Sequence, residues 1–329
     1  MSYLDSFLAV AEKVGLLFLL IGVGFVCQKI NMLDENTNKK LADIVMDFVT
    51  PCVIINAFSA TRYPREEMLD ILKNIGIVAL IAVIAHIGMI AVVSLVFRSR
   101  DEDRRAVMRF AAVFSNAGFI ALPLAQALID TDTCHEGALY GAVYLAVFNI
   151  VLWTYGLADM SGDSSGFTIR KILLIPGIIG VVVGLIIFTS PLWLHVGSVE
   201  GIRLPTVLSG AISAMSALNL PLPMFIIGYY LGKADLLAAF RDVQSYLCIF
   251  LRLIVFPMVT LGVLLLCGVR GNVLIVTVIG ASAPVGATAT IFAAKYGRDT
   301  ELSVRLVSLS TVVSLLTMPL IVGLTQTLA

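Results

Sequence analysis

Long apolar segments alternate with short polar loops along nearly the whole chain of 329 residues. A membrane-spanning helix needs about 20 mostly apolar residues, because the hydrocarbon core of a bilayer is about 30 Å thick. By this measure the sequence predicts ten spans, at residues 7–28, 39–60, 73–97, 107–129, 137–159, 170–189, 204–231, 243–267, 271–294 and 302–327. Little of the chain is left for a domain outside the membrane. The pattern therefore predicts an all-α membrane protein.

Two of these predicted spans, the fourth and the ninth, carry a proline among small and hydroxylic residues. The polar residues near Pro123 and Pro284 are Ser115, Asn116, Ser282 and Thr288. Proline removes one backbone N–H and clashes with the preceding helical turn. We therefore expect the second halves of these helices to begin at Pro123 and Pro284. Interrupted spans at corresponding places in two halves of a chain point to the binding site of a secondary transporter.

The predicted spans divide into two groups of five. A short linker rich in serine and glycine, at residues 161–168, separates a first repeat (1–160) from a second (169–329). A glutamate opens the last span of each group, Glu136 in the first and Glu301 in the second. Because five is an odd number, the second group enters the membrane from the opposite side. The organisation therefore predicts two inverted repeats.

Composition and charge narrow the class of protein. Charged residues make up only 13% of the chain, and the mean hydropathy is +0.99, which excludes an ordinary soluble domain. Acidic and basic residues balance at 22 each, so no basic surface predicts a nucleic-acid partner. Most loop lysines and arginines, including those at 98–109, follow odd-numbered spans. The positive-inside rule then places both termini outside the cytoplasm.

Several blocks in order along the chain resemble the auxin efflux carrier family, whose bacterial members are described as permeases for malate or other organic acids. The blocks are residues 114–124, 222–232, 251–257, 282–284, 294–297 and 310–319. The resemblance implies ten spans in two inverted repeats, similar to bile-acid/sodium symporters. It also implies that helices four and nine cross at Pro123 and Pro284, and that a transport domain moves in elevator fashion. The short connection between the halves favours the bacterial organic-acid branch.

The candidate substrate-binding residues are Ser115, Asn116, Pro123, Ser282, Pro284, Thr288 and Arg252. Asn116 lies two helical turns before Pro123 and so on the same face. Its amide either binds the substrate or satisfies the loosened backbone of the ninth span. An arginine at the centre of a span costs at least about 2.5–3.5 kcal/mol and needs a partner. Arg252 therefore either contacts the anion or holds the fold together through an ion pair or carbonyl bonds.

Asp47 and Asp70 are the candidates for coupling transport to a second ion. Asp47 precedes Pro51 by one turn, so it either carries a proton or cation or bonds to the backbone that Pro51 loosens. Asp70 and Lys73 resemble an acidic-basic pair of the plant auxin carriers, although the spacing differs by one residue. Neither interrupted segment contains a carboxylate, which argues against cation antiport and leaves room for an anion.

No phosphate-binding loop, metal-ligand spacing or paired nucleophile and base occurs in the sequence, so neither an enzyme nor a cofactor is predicted. The leading prediction is a secondary transporter of a mono- or dicarboxylate, bound where the half-helices begin. Two alternatives stay open: a sodium-coupled symporter of amphipathic anions such as bile acids, and a membrane sensor that moves nothing. The predicted partners are the carboxylate, the bilayer and either a proton or sodium. The sequence leaves a homodimer open.

Overall fold

The computed structural model describes residues 2–59, 67–130, 136–163, 174–189, 203–233 and 242–329, and these are helical apart from short connections. Seven helical segments in this part of the chain are long and apolar enough to cross a membrane. They are Tyr3–Lys29, Glu35–Ser59, Leu69–Val96, Glu136–Ser161, Thr206–Lys233, Val243–Leu266 and Thr300–Leu328. Three shorter apolar helices, Ala117–Ile129, Pro176–Phe188 and Gly271–Ser282, overlap the remaining predicted spans. The predicted linker is described only as far as residue 163, and its remainder lies outside the described residues.

The helices are numbered in chain order. Those before residue 164 are α1 (Tyr3–Lys29), α2 (Glu35–Ile44), α3 (Thr50–Ser59), α4 (Met68–Val96), α5 (Glu102–Val113), α6 (Leu122–Ile129), α7 (Glu136–Val151) and α8 (Leu157–Ser161). Those that follow are α9 (Pro176–Thr189), α10 (Arg203–Ala217), α11 (Pro221–Lys233), α12 (Val243–Phe250), α13 (Phe256–Leu266), α14 (Gly271–Ser282), α15 (Thr288–Lys295) and α16 (Thr300–Leu328). The π-helical turns are π1 (Val45–Val49), π2 (Ala117–Ala121), π3 (Leu152–Gly156) and π4 (Leu251–Val255).

Large apolar side chains cover the outside of this helical body. Leu19, Ile87 and Leu316 are among many that are exposed on helices whose other faces are buried. Contiguous apolar surface of this kind is rare on a soluble monomer. In a bilayer it contacts lipid, while the helices satisfy their own backbone groups. The exterior therefore agrees with a multi-pass membrane protein.

Three of the π-helical turns end two residues before a proline, namely Pro51, Pro123 and Pro257. The residue just before each proline donates its N–H to the carbonyl five residues back. The pairs are Thr50 to Val45, Leu122 to Ala117 and Phe256 to Leu251. A proline ring clashes with the carbonyl four residues before it, and the wider turn moves that carbonyl aside. Each proline is thus accommodated inside a continuous helix.

Close packing of backbones joins the first predicted span to the seventh. Helices α1 and α11 cross at Gly24 and Gly228, where a Cβ on either residue would overlap the backbone of the other helix. Small residues at such crossings let membrane helices approach and gain van der Waals contact. Helix α3 packs in turn against α9 and α10.

The interior of the molecule is formed around α7 and α16, which lie in the two most buried long segments. Helix α7 contacts α4, α6 and α14, while α16 contacts α1, α14 and α15. Residues 106–125 are almost entirely buried between them. This arrangement puts both proline-containing polar segments at the centre of the protein.

The connections that follow the odd-numbered predicted spans converge at one end of the molecule. Three ion pairs join them: Arg298 to Asp103 at 2.6 Å, Arg104 to Asp242 at 2.5 Å and Lys233 to Glu35 at 2.9 Å. Arg298 also donates through Nε to the carbonyl of Met160 at 2.7 Å. Loops that the sequence assigns to one side are therefore in contact with one another.

Candidate functional site

Both interrupted segments leave the helical conformation at the centre of the protein. The first does so at residues 114–116, between α5 and π2, and the second at residues 283–287, between α14 and α15. The first break therefore lies seven residues before Pro123, and the expectation that it begins at this proline is corrected. Pro123 occupies the first turn of α6, and π2 moves the clashing carbonyl away. Pro284 lies within the second break, but the second half-helix begins four residues later, at Thr288, so this expectation is corrected as well.

The two breaks pair with each other through their backbones. The N–H of Asn116 donates to the carbonyl of Pro284 at 2.7 Å, and the N–H of Gly286 donates to the carbonyl of Phe114 at 3.0 Å. The short antiparallel bridge that results satisfies groups that a helix can no longer satisfy. Gly286 is required for this approach, because a Cβ there would lie 2.9 Å from the carbonyl oxygen of Ser115.

A cavity of about 640 Å³, including its open mouth, borders this pairing. Residues of both breaks line it together with π1, α7, π3 and the start of α9. Its polar lining consists of Asp47, Thr50, Ser115, Asn116, Asn149 and Thr288. Its larger apolar lining residues are Met46, Phe119, Leu145, Phe148, Leu152, Trp153 and Ile175. Apolar walls with a few convergent polar groups are typical of small-molecule sites.

Several hydrogen-bonding groups that line this cavity have no partner among the described residues. The side chain of Asn116 is only 4% exposed, and its Nδ2 donates to nothing there. The buried hydroxyl of Thr288 also has no hydrogen-bond partner among the described residues. The first N–H groups of the two second half-helices are also without an acceptor in the described chain; they belong to Ala117, Gly118, Phe119, Ala287 and Thr288. A buried donor without a partner costs about 1–3 kcal/mol, so the cavity is suited to a ligand that accepts hydrogen bonds.

Arg252 lies on the other side of the junction that the two paired breaks form, and it does not line the cavity. Its side chain is fully buried in π4. The guanidinium donates to the carbonyls of Ala112 at 3.3 Å and Val113 at 3.0 Å, and also to that of Ala281. These carbonyls belong to the C-terminal ends of α5 and α14, where helices carry partial negative charge. Of the two roles expected for Arg252, the contacts are those of carbonyl bonds that hold the fold together.

The other predicted residues fall in different places. Asp47 is exposed at the mouth of the cavity. Asp70 is exposed near the start of α4 and lines neither this cavity nor the larger cavity next to it. Ser282 donates to the carbonyl of Ile279 at 3.1 Å and does not line the cavity. The structure thus brings Ser115, Asn116, Thr288 and Asp47 together. It leaves Pro123, Ser282, Pro284, Arg252 and Asp70 out of the lining.

A larger cavity of about 1460 Å³ opens at the end that carries the ion pairs. It shares Met46, Asp47 and Trp153 with the first cavity, so these side chains stand between the two. Its basic lining residues are Lys39, Lys233 and Lys295, and its acidic ones are Glu35, Asp43 and Asp47. Trp153 therefore lies at the boundary between the two cavities.

Sequence reasoning missed Trp153, Asn149 and Gly286 as parts of the site. Trp153 and Asn149 lie in an otherwise ordinary apolar span, and nothing in their local pattern distinguishes them. Gly286 follows Pro284 by two residues, and this pairing of proline and glycine was a usable signal for an extended segment.

Comparisons with known proteins agree on a transporter. A family model described as membrane transport protein matches residues 9–172 and 164–322. The chain is 24% identical over 319 residues to an uncharacterized transporter of Methanothermobacter thermautotrophicus, an alignment that covers 95% of this chain and 98% of that protein. It is also 28% identical over 105 residues to auxin efflux carrier component 2 of Arabidopsis thaliana, covering 32% of this chain and 16% of the plant protein.

Proposed function

Because the chain belongs to the membrane transport protein family of the auxin efflux type, we propose that it is a secondary transporter of a small organic anion, a mono- or dicarboxylate such as malate. The observation that carries this proposal is the set of unpartnered donors where the two breaks meet. The Nδ2 of Asn116, the hydroxyl of Thr288 and the first N–H groups of two helices belong to residues that line one cavity.

The chemistry of these donors favours a carboxylate over a cation or a neutral ligand. Two helix N-termini supply partial positive charge and N–H groups that bind anions. A carboxylate offers two oxygens that accept about four hydrogen bonds, and bonds to a charged acceptor are the stronger kind. Neither break contributes a carboxylate of its own that would repel the ligand.

For the fold we propose ten spans in two inverted repeats, residues 1–160 and 169–329, with the breaks at 114–116 and 283–287 as the crossing of helices four and nine. The paired breaks and the helices packed on them would move as one body in elevator fashion. The remaining body consists of spans one, two, six and seven. Support comes from the close contacts of α1 with α11 and of α3 with α9.

We place the larger cavity on the cytoplasmic side and both termini outside the cytoplasm, in a bacterial inner membrane. The excess of lysine and arginine in the converging loops supports this orientation. The state described would then be open to the cytoplasm, with Trp153 beside the route. Asp47, at the boundary of the two cavities, is our candidate for a proton carrier. Asp70 is the weaker candidate, since it lines neither cavity.

The test is binding and counterflow with the purified protein. A panel of mono- and dicarboxylates is screened for an increase in the melting temperature, and each hit is measured for counterflow in proteoliposomes. We expect saturable exchange of at least one carboxylate. Stabilisation without exchange would make the protein a sensor, and stabilisation by no carboxylate would reject the proposed substrate class.

A further inference from the structure

Arg252 has no acidic partner among the described residues. None of the ion pairs in the described chain includes it, although it is the largest fully buried side chain there. The helices that supply its carbonyl partners and its own helix are free of acid around this site, since residues 106–129, 243–266 and 271–295 contain no Asp or Glu. Its charge is instead placed among backbone carbonyls.

Those carbonyls come from the ends of two different helices. Ala112 and Val113 are the last residues of α5, and Ala281 is the next-to-last residue of α14. Each helix C-terminus carries a charge equivalent to about −0.5. Two such ends together correspond to about one negative charge, which one guanidinium balances. Met89 completes the surroundings, with its Sδ 3.7 Å from the guanidinium.

The same groups are the ones with which broken helices bind a cation. In secondary transporters, unwound carbonyls and the C-terminal ends of half-helices coordinate the coupling sodium ion. A guanidinium supplies the same charge with several N–H donors in a fixed plane. A sodium ion placed among these carbonyls would meet Arg252 at contact distance and be repelled.

We propose that Arg252 is a tethered cation that takes the place of a coupling sodium ion at the C-terminal ends of the broken helices. The inference deepens the proposed function, because it makes binding and transport of the anion independent of sodium. It divides the junction into two parts: a permanent internal cation on the C-terminal side and an exchangeable anion on the N-terminal side.

The test compares the purified parent with Arg252→Met in sodium, potassium and choline chloride at equal ionic strength. The parent is expected to melt at the same temperature in all three salts. Arg252→Met is expected to melt roughly 5–10 °C lower in choline, because three carbonyls lose a charged donor. Sodium should restore part of that loss, because the ion now has access to the vacated carbonyls.

Arg270→Met is the matched control. Arg270 also donates to backbone carbonyls, those of Leu265 and Val269, but it is exposed and lies far from either break in the chain. We expect its melting temperature to be insensitive to the choice of salt. Arg252→Lys keeps the charge and should stay insensitive to sodium, with a melting temperature between those of the parent and Arg252→Met.

Three results would overturn the inference. They are sodium-dependent stability or flux of the parent, an Arg252→Met variant as stable as the parent in choline, and a destabilised Arg252→Met that sodium does not restore. If Arg252→Met does not fold, the flux of the parent is compared in sodium and in choline. Equal flux supports the inference, and sodium-dependent flux overturns it. The melting experiments need no substrate, so a protein that carries no carboxylate but shows the expected salt pattern would reject only the proposed function.

Discussion

The two sides of the junction between the broken helices differ in how their backbone groups are satisfied. On the C-terminal side of α5 and α14, Arg252 donates to the carbonyls that the breaks release. On the N-terminal side of π2 and α15, the N–H groups and the Asn116 amide have no acceptor in the described chain. Unsatisfied groups at membrane depth are costly. This difference supports our proposal that the open side binds a ligand.

The largest effect is expected from forcing the two breaks apart. Gly286→Ala places a Cβ 2.9 Å from the carbonyl oxygen of Ser115, so the two backbone bonds between the breaks must lengthen. We expect a loss of about 2–3 kcal/mol of stability and loss of transport. Melting temperature and counterflow are the measurements. Gly262→Ala, at a position with no atom within 4 Å of the new Cβ, is the control and should behave like the parent.

Asn116→Ala tests the open side directly. The amide has no partner for its Nδ2, so its removal should change stability by less than about 1 kcal/mol while abolishing saturable binding. Asn74→Ala provides the opposite case. It removes a bond of 3.1 Å to the hydroxyl of Tyr140 away from the cavity, so it should cost stability and leave binding intact. Unchanged affinity in Asn116→Ala would contradict its assignment to the site.

Substituting the two prolines distinguishes a proline within a break, Pro284, from a proline inside a continuous helix, Pro123. Pro123→Ala should keep transport within a few-fold of the parent, because Pro123 lies inside the continuous helix of π2 and α6, away from the backbone bonds that pair the two breaks. Pro284→Ala should reduce transport further, because it frees φ within the extended segment that pairs with Asn116. Counterflow rates of the two variants are compared at equal protein. Equal rates would show that the position of the proline relative to the break does not matter.

The smallest effect is expected from Asp242, which forms an ion pair with Arg104. Burial raises the pKa of Asp242, but hydrogen bonds from Ser245 and Arg104 outweigh it and hold the pKa below its ordinary value. The stability from this lowered pKa is present above the unfolded value of about 3.9 and is lost as the pH falls through the folded value. Asp242→Asn should cost less than about 1 kcal/mol at neutral pH. Melting curves from neutral to acidic pH should differ from the parent less as the pH falls.

Sequence alone predicted an all-α membrane protein and identified the two spans that are interrupted. Span length and backbone satisfaction are local requirements, so apolar runs and the polar residues near Pro123 and Pro284 carried enough information. Family membership, too, was readable from short blocks such as residues 114–124. Asn116 was identified because it lies in the block at residues 114–124 that resembles the family, two helical turns before Pro123.

Tertiary structure decided which hydrogen-bonding partner each backbone group at the two breaks receives. The first break lies at residues 114–116 rather than at Pro123, because the extended strand is stabilised by Pro284 and Gly286 from the other half of the chain. Arg252 bonds to Ala112, which is 140 residues away, and no local pattern encodes that distance. Sequence therefore indicated that both spans had to be interrupted, but not at which residues. Only the packing of the two halves determined that Arg252 satisfies one side of the interruption while the donors on the other side have no acceptor in the described chain.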